Sequence, residues 1–256
     1  MDLKINGKRA LVMGASRGLG RAVAEGLLAE GVEVIAVSRN ADAIRDWAKD
    51  MPHLTAMAAD LSDLASVDAL IEAVLVKGGV DILVNNSGGP APGTAATTAR
   101  ADWLVQFEAM AANLFHLTGR LLPGMKERKW GRVITIASSG VEQPIPNLAL
   151  SNGIRAAVVG WSKTHAAEVA ADGVTVNIVM PGRIQTTRVA ELDAAAAIRT
   201  SSTVEAVQRA SAAAIPAGRY GRPAEFAAMV VFLASEPASY VTGSRMRVDG
   251  GAIRSI

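Results

Sequence analysis

The sequence contains no cysteine, which excludes disulfides and thiolate metal sites. Its three histidines, His53, His116 and His165, are scattered without a ligand spacing, so no metal is expected. Aromatics are scarce, and Tyr220 and Tyr240 are the only tyrosines; any phenolic acid must be one of these two. No apolar run reaches the roughly 18 residues of a membrane span, and no signal-peptide pattern precedes the first apolar segment. The expectation is a soluble, cytoplasmic protein that does not engage membranes. Neither sign of charge dominates, since 26 Lys and Arg against 24 Asp and Glu leave +2. The basic residues form no block that would follow a phosphate backbone, so nucleic acid is not an expected partner.

What is present is a long alternation of apolar runs and helical patterns. Strands are expected near 9–13, 32–37, 54–58, 80–84, 131–137, 174–179 and 245–248. Helices are expected near 18–30, 41–50, 63–77, 100–127, 148–171 and 223–235. The first four strands are short continuous apolar runs, as in strands covered by helices on both faces. This is the βαβ pattern of an α/β fold: a single domain over 1–256, built as a Rossmann-type, doubly wound parallel sheet of about seven strands flanked by helices. Half of the residues are hydrophobic, enough for the core of one such domain.

Between the first strand and the first helix stands Met13-Gly14-Ala15-Ser16-Arg17-Gly18-Leu19-Gly20. Small residues there let the backbone approach a phosphate, and the helix N-terminus adds free N–H groups and partial positive charge. The strand before it and the helix after it make a nucleotide site the expected reading over a structural turn. After the second strand come Ser38-Arg39-Asn40. An acidic residue there would accept from a ribose with both hydroxyls free, whereas Arg39, joined by Arg17, suits a 2′-phosphate. NADP(H) is therefore favoured over NAD(H). Asp60-Leu61 follows the third strand, where the aspartate would either cap the next helix or border an adenine. Asn85-Asn86-Ser87-Gly88-Gly89 closes the fourth strand at the carboxyl edge of the sheet, where ligands gather in such folds.

These motifs resemble those of the short-chain dehydrogenase/reductases over nearly the whole chain. The glycine turn resembles the family's T-G-x3-G-x-G with Met13 in place of threonine, and Asn85 to Gly88 resembles N-N-A-G with Ser87 for alanine. Pro181-Gly182 with Thr186 resembles the segment that holds the nicotinamide amide, and Gly218 to Pro223 and Val248 to Gly251 resemble C-terminal landmarks. The resemblance implies that Gly14, Ser16, Arg17, Gly18, Leu19, Gly20, Ser38, Arg39, Asp60, Leu61, Asn86, Ser87, Gly88, Arg155, Pro181, Gly182, Ile184 and Thr186 surround the cofactor. It also implies a small carbonyl or alcohol substrate, a homo-oligomer (dimer or tetramer), and a substrate lid over about 184–214. Atypical relatives similar to the 3-oxoacyl-carrier-protein reductases give the nearest pattern.

The resemblance breaks at the catalytic residues. Family members use a serine to orient the carbonyl oxygen, a tyrosine to exchange the proton, a lysine to lower the tyrosine pKa, and an asparagine to complete a water relay. Ser138 stands at the serine position. Ser151 replaces the tyrosine, Arg155 replaces the lysine, and Met110 falls at the asparagine, with Asn113 one turn later. A serine hydroxyl cannot match a phenol of pKa about 10 as an acid, while an arginine stays charged and can steady an oxyanion. The proton would then come from Glu142, the ionisable group in the loop between Ser138 and Ser151, or from water. The expected activity is hydride transfer with an altered proton-transfer site. A catalytically silent nucleotide-binding or scaffolding protein is the alternative, as is a pocket used without cofactor.

Overall fold

The computed structural model describes residues 1–255. Seven strands form one parallel sheet: β1 (Arg9–Met13), β2 (Glu33–Ser38), β3 (Leu54–Ala58), β4 (Ile82–Asn85), β5 (Gly131–Ile136), β6 (Val174–Pro181) and β7 (Arg245–Val248). Their order is β3-β2-β1-β4-β5-β6-β7, with registers such as Val12 opposite Val84 and Asn85 opposite Thr135. The five inner strands, rich in Val, Ile and Ala, are buried on both faces, β5 at all six positions, while the edge strands β3 and β7 are partly exposed. Alternate residues of each strand feed two separate cores. Val12, Val84, Ile134 and Val179 face α1 (Gly18–Ala29) and α9 (Pro223–Leu233). Leu11, Leu83, Val133 and Val176 face α3 (Leu64–Leu75), α5 (Asn113–Glu127) and α6 (Ala149–Val169).

The doubly wound parallel sheet expected from the sequence is what the structure shows. The strand order reverses between β1 and β4, so the turns leaving these two strands diverge and open a crevice at the carboxyl edge. Boundaries shift by one or two residues at most elements, and α2 (Asp42–Trp47) is shorter than the expected 41–50.

The single helix expected over 100–127 is a correction. The chain there forms α4 (Arg100–Phe107), a π-helical segment over Glu108–Ala112, and then α5. Apolar periodicity reads through such a bulge, because one extra residue rotates the face without breaking the pattern. The bulge presents Met110, 3% exposed, to Leu150, Ile154 and Val158 of α6. The segment expected as a lid contains two helices, α7 (Thr187–Arg199) and α8 (Val204–Ala213).

Candidate active site

The crevice begins at the turn after β1. Gly14 has φ +64°, and a Cβ there would stand 2.6 Å from Asn86 Nδ2. A Cβ at Gly20, in the first turn of α1, would collide with the Gly14 carbonyl oxygen and lie 2.9 Å from Asn86 Nδ2. The turn therefore folds against itself as only glycine allows, and leaves a cradle of backbone at the helix N-terminus. Asn86 clips the two crevice walls together, its Nδ2 donating to the Met13 carbonyl at 3.2 Å and the Gly14 carbonyl at 3.4 Å. Asn85 points the other way and donates to Thr118 Oγ1 at 3.0 Å. Arg17 occupies the N-cap of α1 in an extended conformation without using its side chain as a cap. The residues of this cradle fit a pyrophosphate on geometric grounds.

At the far end of the crevice, Ser38 Oγ donates to the Asn40 carbonyl at 2.6 Å, which turns the chain and leaves Arg39 exposed. Among the described residues, no carboxylate lies within ion-pair distance of Arg39. Arg17, by contrast, reaches the lid: its Nη1 lies 3.3 Å from Glu191 Oε1 on α7. Asp60 is not the cap of α3. That role belongs to Asp63, which accepts from the Ala65 N–H. Asp60 instead accepts from the Ser62 N–H at 2.9 Å and the Ser62 hydroxyl at 2.8 Å. Those bonds, with Arg39 as a weaker influence, hold its carboxyl below the usual carboxylate range. Leu61 offers its carbonyl to Asn113 Nδ2 at 2.7 Å, so Asn113 braces the β3–α3 loop. Met110 is at the expected asparagine position, facing α6.

Ser138 leaves β5 in an extended conformation, φ −159° and ψ 148°, and its Oγ accepts from the Gly140 N–H at 3.1 Å. With its acceptor side taken by the backbone, the hydroxyl hydrogen is left for an oxygen in the crevice. Ser151 lies one turn before Arg155 on α6, half-buried. Arg155 donates from Nη1 to the Ile136 carbonyl at 2.9 Å and from Nη2 to the Ser87 carbonyl at 3.5 Å. It thus spans the ends of β4 and β5. No carboxylate pairs with it among the described residues, and desolvation brings its pKa down to about 10. It remains a cation at neutral pH, with guanidinium N–H groups beyond those two bonds still to spend.

Glu142 is not a solvated carboxylate at the cleft edge. Its side chain is 8% exposed, with Oε2 2.5 Å from Arg247 Nε and Oε1 3.6 Å from Arg245 Nη1, both on β7. The Arg247 approach lacks hydrogen-bond alignment, so the contact is an ion pair. Its carboxylate is thus engaged by the edge strand rather than free at the crevice.

The remaining wall is the start of the lid. Gly182 packs on Asp249, where a Cβ would meet Asp249 Cα at 2.7 Å. Ile184 is buried and bridges to Gly221. Thr186 caps α7 by accepting from the Val189 N–H at 3.3 Å, and its methyl lies over Gly18, 3.6 Å from a Cβ built there. Three contacts escaped the sequence reading. Arg188 donates to the Pro90 carbonyl at 2.9 Å, Glu191 joins Arg17 to Arg188, and Asn152 pins Ile145 through both its N–H and its carbonyl. Arg188 with Pro90 and Arg17 with Glu191 join residues 98 and 174 positions apart, and no local pattern signals them.

Both tyrosines are accounted for elsewhere in the fold. Tyr240 is fully exposed. The Tyr220 hydroxyl donates to Asp193 Oδ2 at 3.0 Å, and Asp193, wholly buried in α7, also pairs with Arg183. Tyr220→Phe is expected to lower stability by about 1 kcal/mol through the lost hydrogen bond and to leave NADPH affinity and turnover unchanged. Thermal melting and steady-state kinetics check both halves.

The family profile described as enoyl-(acyl carrier protein) reductase matches residues 14–252. The 3-oxoacyl-acyl-carrier-protein reductase FabG of Vibrio cholerae is 36% identical over 255 residues, covering 97% of this chain and 98% of the relative. That of Escherichia coli K12 is 37% identical over 257 residues, with the same coverage. The crystal structure of L-sorbose reductase from Gluconobacter frateurii, complexed with NADPH and L-sorbose, superposes with a TM-score of 0.94 at 33% identity over all of both chains. The glycine cradle at the β1–β4 switch point, Ser138 at the end of β5 and these similarities over the full chain lead to one assignment: the chain belongs to the short-chain dehydrogenase/reductase family.

Proposed function

We propose that the protein is an NADP(H)-preferring oxidoreductase acting on a small carbonyl/alcohol pair through an altered proton-transfer site. The observation that carries this reading is Arg155: a desolvated guanidinium without a carboxylate partner, held by Ile136 and Ser87 beneath the crevice that Ser138 lines. A scaffold that had lost its chemistry would have no physical need to keep an uncompensated cation there, since burying one costs stability. The NADPH-bound relative of 33% identity supports the cofactor, and the exposed, unpaired Arg39 supports preference for the 2′-phosphate.

When bound, NADPH supplies the hydride; the protein positions and polarises. The cradle from Gly14 to Gly20 holds the pyrophosphate, with Ser16, Leu19 and the α1 N-terminus around it. Ser87, Gly88, Pro181, Gly182, Ile184 and Thr186 form the nicotinamide end, and Leu61 with Asp60 the adenine end. The Ser138 hydroxyl donates to the carbonyl oxygen, and Arg155 stabilises the negative charge that develops on it. Water delivers the proton, and Ser151, smaller than the aromatic acid it replaces, leaves room for it. Subunit association is supported by α4, where Leu104 and Val105 are more than half exposed. The silent nucleotide-binding reading keeps one supporting observation, the apolar Met110 at the relay position.

Titration of NADPH and NADH against tryptophan fluorescence, followed by NADPH consumption across ketones and 3-oxoacyl thioesters, separates the readings. Arg39→Ala is expected to weaken NADPH by about 10- to 100-fold, the worth of one charge-assisted contact, while NADH binding holds. Binding without consumption across the panel would establish the silent reading. A protein indifferent to both nucleotides would remove the cofactor.

A further inference from the structure

The turn that carries Ser138 is fixed at three posts. The first is internal, the Gly140 N–H to Ser138 Oγ bond. The second is Asn152, whose side chain holds Ile145 at its N–H and its carbonyl; a Cβ at Gly140 would stand 2.5 Å from the same Asn152 oxygen. The third is Glu142, which closes the short 3-10 turn Ser139–Val141. Its carboxylate reaches out of the turn to two guanidinium groups on the edge strand β7, and Arg247 is itself held by the Ser255 carbonyl at 2.6 Å.

We propose that Glu142 is a positioning residue for Ser138: its ion pairs with Arg245 and Arg247 tie the catalytic turn to β7 and fix where the serine hydroxyl points. The two neighbouring posts act on the backbone at Gly140 and Ile145; between them, Glu142 is the turn's tie to the sheet edge. Two facts make this tie consequential. Its carboxylate is almost fully sequestered, so the pairs are less screened than surface ones. And Ser138 works in this chain without the phenol that would otherwise share its task, so a shift of the turn has no second donor to absorb it. An error of about 1 Å at a reacting oxygen costs on the order of 100-fold in rate.

The kinetic part rests on the oxidoreductase reading, so the test has two arms. In the first, amide hydrogen exchange is followed by mass spectrometry in the wild type, Glu142→Gln and Arg247→Gln. Faster exchange confined to about 139–146 in both variants, with the rest of the sheet unchanged, is expected. Unchanged exchange in that segment would overturn the tie. In the second, Glu142→Gln is expected to lower kcat by about 10- to 100-fold with NADPH affinity retained and the shape of the pH–rate profile unaltered. The double variant Glu142→Gln/Arg247→Gln is expected to be no slower than the worse single one, because both remove the same link. Loss of a limb of the profile would make Glu142 the proton donor and overturn the positioning role, as would full turnover in Glu142→Gln. A wild-type protein that never consumes NADPH refutes the oxidoreductase reading, and the exchange arm then decides the tie by itself.

Discussion

Gly20→Ala is expected to weaken NADPH binding by roughly 100-fold or more, equivalent to about 2.7 kcal/mol, and to lower stability by about 1–3 kcal/mol through overpacking. The reason is steric. The new methyl group would run into the Gly14 carbonyl oxygen and crowd Asn86 Nδ2. The first obstacle is backbone, so it cannot rotate away; the turn must move. Moving it pulls the N–H groups at the start of α1 out of the arrangement that receives a phosphate, and breaks the Asn86 clip across the switch point. Fluorescence titration with NADPH and thermal melting with and without nucleotide measure the two effects separately. A Gly20→Ala protein that binds NADPH as the wild type does would show that the nucleotide does not use this turn.

Arg155→Met is expected to lower kcat/KM by roughly 100- to 1,000-fold, the usual loss when one fixed oxyanion donor is removed. Methionine retains the apolar length of the side chain but supplies neither charge nor N–H. The Ile136 and Ser87 carbonyls would lose a shared donor, so part of the change falls on the geometry of the nicotinamide end, and a KM effect accompanies the kcat effect. Arg155→Lys should recover only part of the activity: it keeps a charge, but a point ammonium cannot bridge two carbonyls as the planar fork does. The pH dependence has a defined sign. Desolvation favours the neutral form of a cation, so the pKa falls to about 10; the group remains charged through the neutral range. The wild-type rate should therefore lose this contribution only as pH rises toward about 10, and Arg155→Met should lack that high-pH decline. A variant as fast as the wild type would place the oxyanion contact elsewhere.

The amino-acid sequence determined the α/β class, the parallel doubly wound sheet, the glycine turn and the placing of Ser151 and Arg155 one turn apart on one helix. Those features lie in short-range chemistry. Apolar runs of five residues, a turn at the helix start and a helix with residues one turn apart are each decided within a few neighbours. The limit of that reading appears at 100–127, where a π bulge leaves the apolar periodicity intact and turns Met110 toward α6. It appears again at Glu142, which as sequence is a loop carboxylate offered as a proton source and becomes a buried ion-pair partner only when β7 is laid beside β6. Arg17 met Glu191 across 174 residues, and Tyr220 met Asp193. Tertiary structure alone decided these pairings, because a side chain's partner depends on which strands become neighbours, and that is settled by the packing of the whole sheet rather than by any segment of it.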